Sequence, residues 1–94
     1  MAAYVVGRIH VRDGQKWEQY LAQVGATLAP CAGEVVFRGR DAVSLDGEDA
    51  HELVVVLRFP DIAATKRWRE SAEYRSIVPL RNEAADVVLT AYSA

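Results

Sequence analysis

Residues 52–70 read E-L-V-V-V-L-R-F-P-D-I-A-A-T-K-R-W-R-E, and they contain the clearest strand and helix signals of the chain. The unbroken apolar run inside Glu52–Phe59 predicts a strand. Pro60 cannot continue the hydrogen bonding of a strand, and Asp61 suits a helix N-cap because its carboxylate accepts from free backbone N–H groups. We therefore expect a strand that leads directly into a helix, which ends near Glu70.

The chain before this stretch predicts two further strands and a helix. Residues 4–11 are rich in β-branched and aromatic side chains, which is typical of a strand. Asp13 is placed to cap a helix that runs to about Ala29, and residues 34–38 predict the second strand, with Ala42–Leu45 as a possible continuation. Apolar side chains recur along the first helix at the spacing of one face: Trp17, Tyr20, Leu21, Val24 and Leu28. This single apolar face of the helix favours core positions for these residues.

The chain after residue 70 completes a β-α-β-β-α-β order. Ser71 is placed to cap a short second helical piece that Pro79 weakens, and residues 87–92 predict the last strand. This order is the split βαβ arrangement: an α+β fold with a four-stranded antiparallel sheet and two helices on one face. We expect residues 1–94 to form one domain of this kind.

Composition excludes several classes of partner. The formal net charge of −2 provides no basic surface for nucleic acid, and no apolar run approaches the roughly 20 residues of a membrane span. The single cysteine, Cys31, cannot form an internal disulfide, and residues 1–4 show no secretory signal. We expect a cytoplasmic protein that binds neither nucleic acid nor membranes.

The sheet is predicted to be apolar on both faces. In the third strand Val54 and Val56 oppose Leu53, Val55 and Leu57, although two helices can cover only one face. A second apolar face left in water usually marks an interface. We therefore expect a homodimer in which two sheets pack face to face about a two-fold axis. The alternative is a monomer with a partly polar, exposed sheet face.

Four segments carry a resemblance to a known family: Y-V-V-G-R-I at residues 4–9, F-R-G at 37–39, V-V-V-L-R-F-P at 54–60 and W-R-E-S-A-E-Y-R-S-I-V-P-L-R at 68–81. Together they resemble the domain-of-unknown-function family thirteen-thirty, across essentially the whole chain. That family belongs to the dimeric α/β-barrel superfamily, so the resemblance implies a ferredoxin-like fold and a dimer. Superfamily members include cofactor-free monooxygenases, isomerases and haem-degrading enzymes, but extending a chemistry from them rests on fold analogy alone.

Two polar side chains on the strands are candidates for chemistry. His10 has a pKa range suited to proton transfer and is the candidate catalytic residue; the alternative is a histidine near solvent at a strand end or interface. Arg38 can hold a carboxylate or enolate with its planar guanidinium, or can form an ion pair with Glu52 or another acid.

Three residues of the segment 68–81 are candidates for ligand contact. Trp68 and Tyr74 suit the wall of an apolar pocket, although large aromatics are more often core residues. Arg81 can clamp an anion in the same region, or can form a salt bridge with Glu73 or Asp86. No spacing of histidine and cysteine indicates a metal site, and no sequence motif indicates a cofactor, so we expect neither.

Two functions of different classes fit these observations. The first is a homodimeric protein that binds a small, partly apolar molecule between sheet and helices. It would act in a cofactor-free, monooxygenase-like or isomerase-like reaction if it is an enzyme, a point that the sequence leaves open. The second is a non-catalytic dimeric interaction module. A cavity that touches His10 or Arg38 favours the first, and a fully packed interior favours the second.

Overall fold

The computed structural model describes residues 1–94 and shows a four-stranded antiparallel sheet with the strand order β2-β3-β1-β4. In chain order the elements are β1 (Ala3–Val11), α1 (Gly14–Leu28), a 3-10 turn (Ala29–Cys31), β2 (Glu34–Gly39), β3 (Leu53–Phe59), α2 (Ile62–Glu70), α3 (Ala72–Ala84) and β4 (Ala85–Ser93). The order and pairing confirm the predicted ferredoxin-like α+β fold. The second helical region consists of two helices, α2 and α3, where one helix and a short piece were expected.

Side chains on alternate positions of the strands separate the two faces of the sheet. In β1, Val5 and Ile9 are buried beneath the helices, whereas Arg8 and His10 point the opposite way and are exposed. We call these two sides the helix-facing side and the outer face. Phe59 of β3 lies on the helix-facing side and is 1% exposed. The core therefore lies on one side of the sheet only, as the pattern of the sequence predicts.

Side-chain caps begin all three α-helices. Asp13, Asp61 and Ser71 each accept from the backbone N–H three residues further on, at 3.2, 2.8 and 3.2 Å. Each cap satisfies a backbone donor that has no partner within its helix. The predicted starts of these helices are therefore confirmed, together with the physical reason for them.

Pro79 does not weaken the last helix, and that expectation was wrong. Proline removes one backbone hydrogen bond inside a helix, at a cost of about 3 kcal/mol. However, α3 continues past Pro79 to Ala84, and Ile77 and Ala84 are buried on either side of the proline. Burial of apolar side chains on one face of α3 offsets the lost hydrogen bond, since a buried isoleucine alone contributes roughly 1.5–3 kcal/mol.

The expected strand continuation at Ala42–Leu45 is also wrong. These residues lie in the loop between β2 and β3, where Val43 and Leu45 are 80% and 90% exposed. β2 pairs only with β3, and this pairing ends at Gly39 opposite Val54, near the start of β3, so residues 42–45 have no strand opposite them. The loop is joined to the sheet near its end, where Asp49 forms an ion pair with Arg8 at 2.8 Å.

The position of α1 matters most for the site. This helix packs mainly against α3, whereas α2 and α3 contact the strands directly. Hydroxyl groups of Tyr20 in α1 and Tyr74 in α3 meet at 2.9 Å in the contact between the two helices. Space consequently remains between α1 and the sheet. None of the helices combines the length and the apolar character needed to cross a membrane.

Two glycines provide a test of the packing near the 3-10 turn. A Cβ atom at Gly33 would lie 2.6 Å from the ring of Phe59, whereas a Cβ atom at Gly25 in α1 would meet nothing within 4 Å. Because the Phe59 ring is buried, we expect Gly33→Ala to lower the free energy of unfolding by roughly 1–3 kcal/mol. Gly25→Ala should raise it by about 0.5–1 kcal/mol, since alanine favours a helix interior.

Urea unfolding followed by circular dichroism measures both changes. Gly25→Ala serves as the matched control because it adds the same methyl group at an open position. Equal stability of the Gly33→Ala variant and the wild-type protein would contradict the tight contact between Gly33 and Phe59.

Candidate functional site

A cavity of about 280 Å³ lies between α1 and the helix-facing side of the sheet. Fourteen of its 17 lining residues are hydrophobic. The α1 wall consists of the predicted apolar stripe, and the opposite wall comes from all four strands, including Ile9, Leu53, Val55 and Leu89. Leu53, Val55 and Leu89 are only partly buried, whereas Ile9 is buried. The volume is at the small end of ligand pockets and suits a molecule of one or two rings.

A β-bulge in β2 places Arg38 at this cavity. In a regular strand, residues 35 and 38 would point to opposite faces. The register of β2 against β3 shifts between Val35 and Phe37, so that Val35 pairs with Leu57 and Arg38 pairs with Val55. Both partners are on the helix-facing side. The bulge therefore brings Val35 and Arg38 to the same side of the sheet, where both line the cavity.

Arg38 carries a charge that no nearby acid neutralises. The acids on neighbouring strands are occupied elsewhere: Glu52 pairs with His10 at 2.8 Å and Glu34 pairs with Arg58 at 3.6 Å. The expected alternative, an ion pair between Arg38 and Glu52, is therefore not formed. Arg40 is the other charged residue of the lining, and both arginines are exposed. Arg40 pairs with the adjacent Asp41 at 3.9 Å, so Arg38 is the cation at the solvent-exposed edge of this apolar cavity that has no acidic partner.

Trp68 lines the cavity as an apolar wall. The side chain is 2% exposed, and its Nε1–H donates to the Thr27 hydroxyl at 2.9 Å. Thr27 in turn donates to the carbonyl of Val24 at 2.6 Å. The polar atom of the indole is therefore satisfied within the protein, and the ring offers only an apolar surface. Trp68 is therefore both a core residue and a residue of the pocket wall, the two alternatives that the sequence indicated.

Tyr74 and Arg81 lie behind the cavity wall. Tyr74 is completely buried, and its hydroxyl contacts the Tyr20 hydroxyl and accepts from Arg81 Nη1 at 3.0 Å. Neither Tyr74 nor Arg81 is among the lining residues. Arg81 also contacts the side chain of Asn82, so neither expected salt bridge, with Glu73 or with Asp86, is present. These two residues are placed to support the wall rather than to touch a ligand.

Tyr20 is the lining residue whose importance the sequence did not reveal. It lies on the apolar stripe of α1, which predicted a core position, and it is 6% exposed. Its ring stacks on Trp17 with a centroid separation of 5.0 Å, and it meets Tyr74 edge-on. Burial, with the neighbouring Tyr74, raises the pKa of the Tyr20 hydroxyl well above its usual value, so this group stays protonated.

His10 lies on the outer face of the sheet, away from the cavity. Its neighbour Ile9 lines the cavity, and successive strand residues point to opposite faces. Nδ1 of His10 lies 2.8 Å from Glu52 Oε2, and Glu52 also accepts from the backbone N–H of Val11 at 2.9 Å. The structure therefore does not bring His10 together with Arg38, and the histidine joins the ends of β1 and β3.

No group of three or more histidine, cysteine, aspartate or glutamate side chains is arranged to hold a metal ion. Cys31 is a partly buried free thiol beside the core, and it is not a lining residue of the cavity. The lining itself contains no histidine, acid, lysine or cysteine. The chemistry that its own residues offer is therefore limited to guanidinium, indole and phenol groups.

Comparison with known proteins identifies the same family as the sequence segments. Residues 2–93 match the family described as "Domain of unknown function (DUF1330)". No curated protein matches the chain at a significant level.

Several solved structures share the fold. A protein of unknown function from Rhodopseudomonas palustris is 19% identical with a TM-score of 0.84, covering 99% of this chain and 82% of that one. SnoaB, a cofactor-independent oxygenase from Streptomyces nogalater, is 15% identical with a TM-score of 0.71, covering 99% and 92%. A DABB family protein with a ferredoxin-like fold from Mesorhizobium loti is 13% identical with a TM-score of 0.70, covering 99% and 96%. At these identities the likeness establishes the fold alone.

The contact of Glu52 with Val11 and His10 predicts a dependence of stability on pH. These hydrogen bonds lower the pKa of Glu52 from its usual 4.5 to about 2, the backbone N–H of Val11 being the larger cause. The stabilisation is therefore complete above about pH 4.5 and is lost as the pH falls through about 2. Because the carboxylate is near solvent, we expect Glu52→Gln to reduce the difference in the free energy of unfolding between neutral and acid pH by only about 1 kcal/mol.

Urea unfolding at pH 6 and at pH 2.5 measures the effect of Glu52→Gln. Glu48→Gln is the matched control, since Glu48 is exposed in the neighbouring loop. The control should retain the wild-type difference in stability between the two pH values. A wild-type difference in the Glu52→Gln variant as well would show that the carboxylate contributes nothing in acid.

Proposed function

The chain belongs to the DUF1330 family of unknown function, and on that premise we propose that it binds a small apolar acid in the cavity beneath α1. The observation that carries the proposal is the charge of the lining. Apolar side chains form nearly all of the wall, and the only charged lining residues are Arg38 and Arg40 at its exposed edge. A ligand with an apolar body of one or two rings and one carboxylate or enolate complements both parts.

Arg38 is the residue that we assign to the anion. Its guanidinium has no acidic partner in the protein, because Glu34 and Glu52 are paired with Arg58 and His10. Charge-assisted hydrogen bonds from arginine to a carboxylate are stronger than those between neutral groups and fix its orientation. Trp68 contributes the apolar wall, while Tyr74 and Arg81 hold that wall from behind.

Catalysis is the further step of this proposal, in the form of cofactor-free oxygenase-like or isomerase-like chemistry. Its support is that SnoaB, described as a cofactor-independent oxygenase, has the same fold. The lining offers no histidine or carboxylate to act as a general base near neutral pH. Binding is therefore the better supported part of the proposal, and a reaction in this cavity would depend on the chemistry of the ligand itself.

The competing function, a non-catalytic interaction module, requires a packed interior at Arg38. A cavity in contact with Arg38 instead favours small-molecule binding. His10 has no place in the binding site that we propose, because its side chain lies on the other face of the sheet.

We also propose that the outer face of the sheet pairs with a second copy of the chain. Phe37, Val88 and Tyr92 are 55%, 40% and 56% exposed, and they lie with Val54 and Val56 on the outer face of the sheet, which the helices do not cover. An apolar sheet face of this kind usually marks an interface. A protein from Thermobifida fusca that shares the fold is described as dimeric and ferredoxin-like, at 12% identity. Face-to-face pairing about a two-fold axis would bury the exposed apolar side chains of both copies.

The binding proposal predicts the effect of Arg38 on an aromatic acid. We expect 2-naphthoate to bind saturably and Arg38→Gln to weaken its affinity by roughly tenfold or more, because a charge-assisted hydrogen bond is lost. The neutral analogue 2-naphthalenemethanol should bind both proteins alike. Isothermal titration calorimetry measures both affinities.

Arg58→Gln is the matched control, since Arg58 is an exposed arginine of β3 outside the cavity lining. It should leave the naphthoate affinity unchanged. The binding proposal fails if 2-naphthoate does not saturate the wild-type protein, or if Arg38→Gln binds it as tightly as the wild type.

If the outer face forms the dimer interface, a charged substitution on this face should lower the mass of the protein in solution from that of a dimer toward that of a monomer. We expect the wild-type protein to have twice the monomer mass of 10.4 kDa. Val56→Lys should weaken the dimer by roughly a hundredfold or more, because symmetry brings two like charges into the interface. Sedimentation equilibrium over a range of protein concentrations measures the dissociation constant.

Ala63→Lys adds the same charge at an exposed position of α2 and should leave the dimer intact. Circular dichroism of both variants checks that the fold is retained. A wild-type protein that sediments as a monomer at micromolar concentration would overturn the dimer proposal.

A further inference from the structure

The hydrogen bonds behind the cavity form a chain with a definite direction. Arg81 Nη1 lies 3.0 Å from the Tyr74 hydroxyl, which lies 2.9 Å from the Tyr20 hydroxyl. Arginine has donors only, so Arg81 must donate and the oxygen of Tyr74 must accept. Each tyrosine then has a single hydroxyl proton, and only one of the two protons can lie between Tyr74 and Tyr20.

The acceptors that are available determine which of the two hydroxyl protons lies between Tyr74 and Tyr20. If Tyr20 donated to Tyr74, the proton of Tyr74 would have no acceptor, although that side chain is 0% exposed. A buried donor without an acceptor is costly. If Tyr74 donates to Tyr20, the unused proton belongs to Tyr20, which lines the cavity. The arrangement with fewer buried unsatisfied groups is therefore Arg81 to Tyr74 to Tyr20.

We infer that Tyr20 donates its hydroxyl proton to an oxygen of the bound ligand, and thereby selects acids that carry a carbonyl group on their apolar body. The inference rests on the proposed binding function and adds a second polar requirement to the anion held by Arg38. Tyr20 is a specificity-determining residue in this account, and Tyr74 and Arg81 are positioning residues that act through it.

The packing of the Tyr20 ring agrees with a role in ligand selection. The ring of Tyr20 is fixed from two sides, by stacking on Trp17 and by the edge contact with Tyr74. A fixed donor selects an acceptor more strongly than a mobile one because less conformational freedom is lost on binding.

A pair of nearly isosteric ligands tests the inference. The probes are 6-acetyl-2-naphthoate and 6-isopropenyl-2-naphthoate, which differ in a carbonyl oxygen against a methylene group. We expect the wild-type protein to bind the ketone roughly tenfold more tightly, the range for a single hydrogen bond to a buried donor. Tyr20→Phe should reduce this ratio to about one, mainly by weakening the ketone, as measured by titration calorimetry.

Two variants separate recognition from mere support of the fold. Tyr74→Phe removes the group that orders the Tyr20 hydroxyl and should lower the ketone preference while Tyr20 is still present. Tyr92→Phe removes a hydroxyl from the outer face and should keep the wild-type ratio. A purely structural role of Tyr20 would weaken both ligands equally, leave the ratio unchanged and overturn the inference.

Infrared spectroscopy of the wild-type complex tests the same point without any substitution. The ligand is 6-acetyl-2-naphthoate labelled with carbon-13 at the ketone. Its carbonyl stretch should lie at a lower frequency in the complex than in an apolar solvent. Binding of both naphthoates with a ratio near one and an unshifted stretch overturns the role of Tyr20 alone. Failure of both naphthoates to bind overturns the proposed function, and this inference with it.

Discussion

The contact between α1 and α3 determines where the protein has room for a ligand. Tyr20 and Tyr74 join the two helices through their hydroxyl groups, inside an aromatic cluster that also contains Trp17, Trp68 and Phe59. Because α1 packs mainly on α3, much of its apolar stripe faces the sheet across a cavity. The same stripe would form an ordinary core if the helix lay directly on the sheet.

The charge at this cavity depends on a second local feature, the bulge in β2. One extra residue between Val35 and Phe37 changes the face to which Arg38 points, and brings a cation to the edge of an apolar space. The acids of neighbouring strands are held by Arg58 and His10, so the positive charge is not cancelled. An apolar wall and an unpaired cation together define the class of molecule that we propose as the ligand.

The sequence predicts the framework well because the relevant forces are local. Strand patterns, the caps at Asp13, Asp61 and Ser71 and the apolar stripe of α1 all depend on residues close together in the chain. The helix through Pro79 was not predictable in this way, since packing on both sides of the proline decides the outcome.

The candidate site was only partly predictable, for related reasons. Arg38 and Trp68 were identified from the sequence and do line the cavity. The orientation of Arg38, however, comes from a bulge that no residue pattern predicts. His10 was selected for its chemistry, whereas alternation along β1 turns it to the outer face. Tyr20 was assigned to the core because the spacing of a helix face gives no distance to the opposite layer. Its role becomes visible only when Tyr74 and Arg81 are seen behind it.

We propose the space beneath α1 as a binding site for an apolar acid that carries a carbonyl group. A crystal structure of the protein soaked with 6-acetyl-2-naphthoate tests this most directly. We expect density for the ligand between α1 and the sheet, with its carboxylate against the Arg38 guanidinium and its ketone oxygen within hydrogen-bond distance of the Tyr20 hydroxyl. An empty cavity in the presence of saturating ligand, or a ligand bound only on the outer face of the sheet, would contradict it.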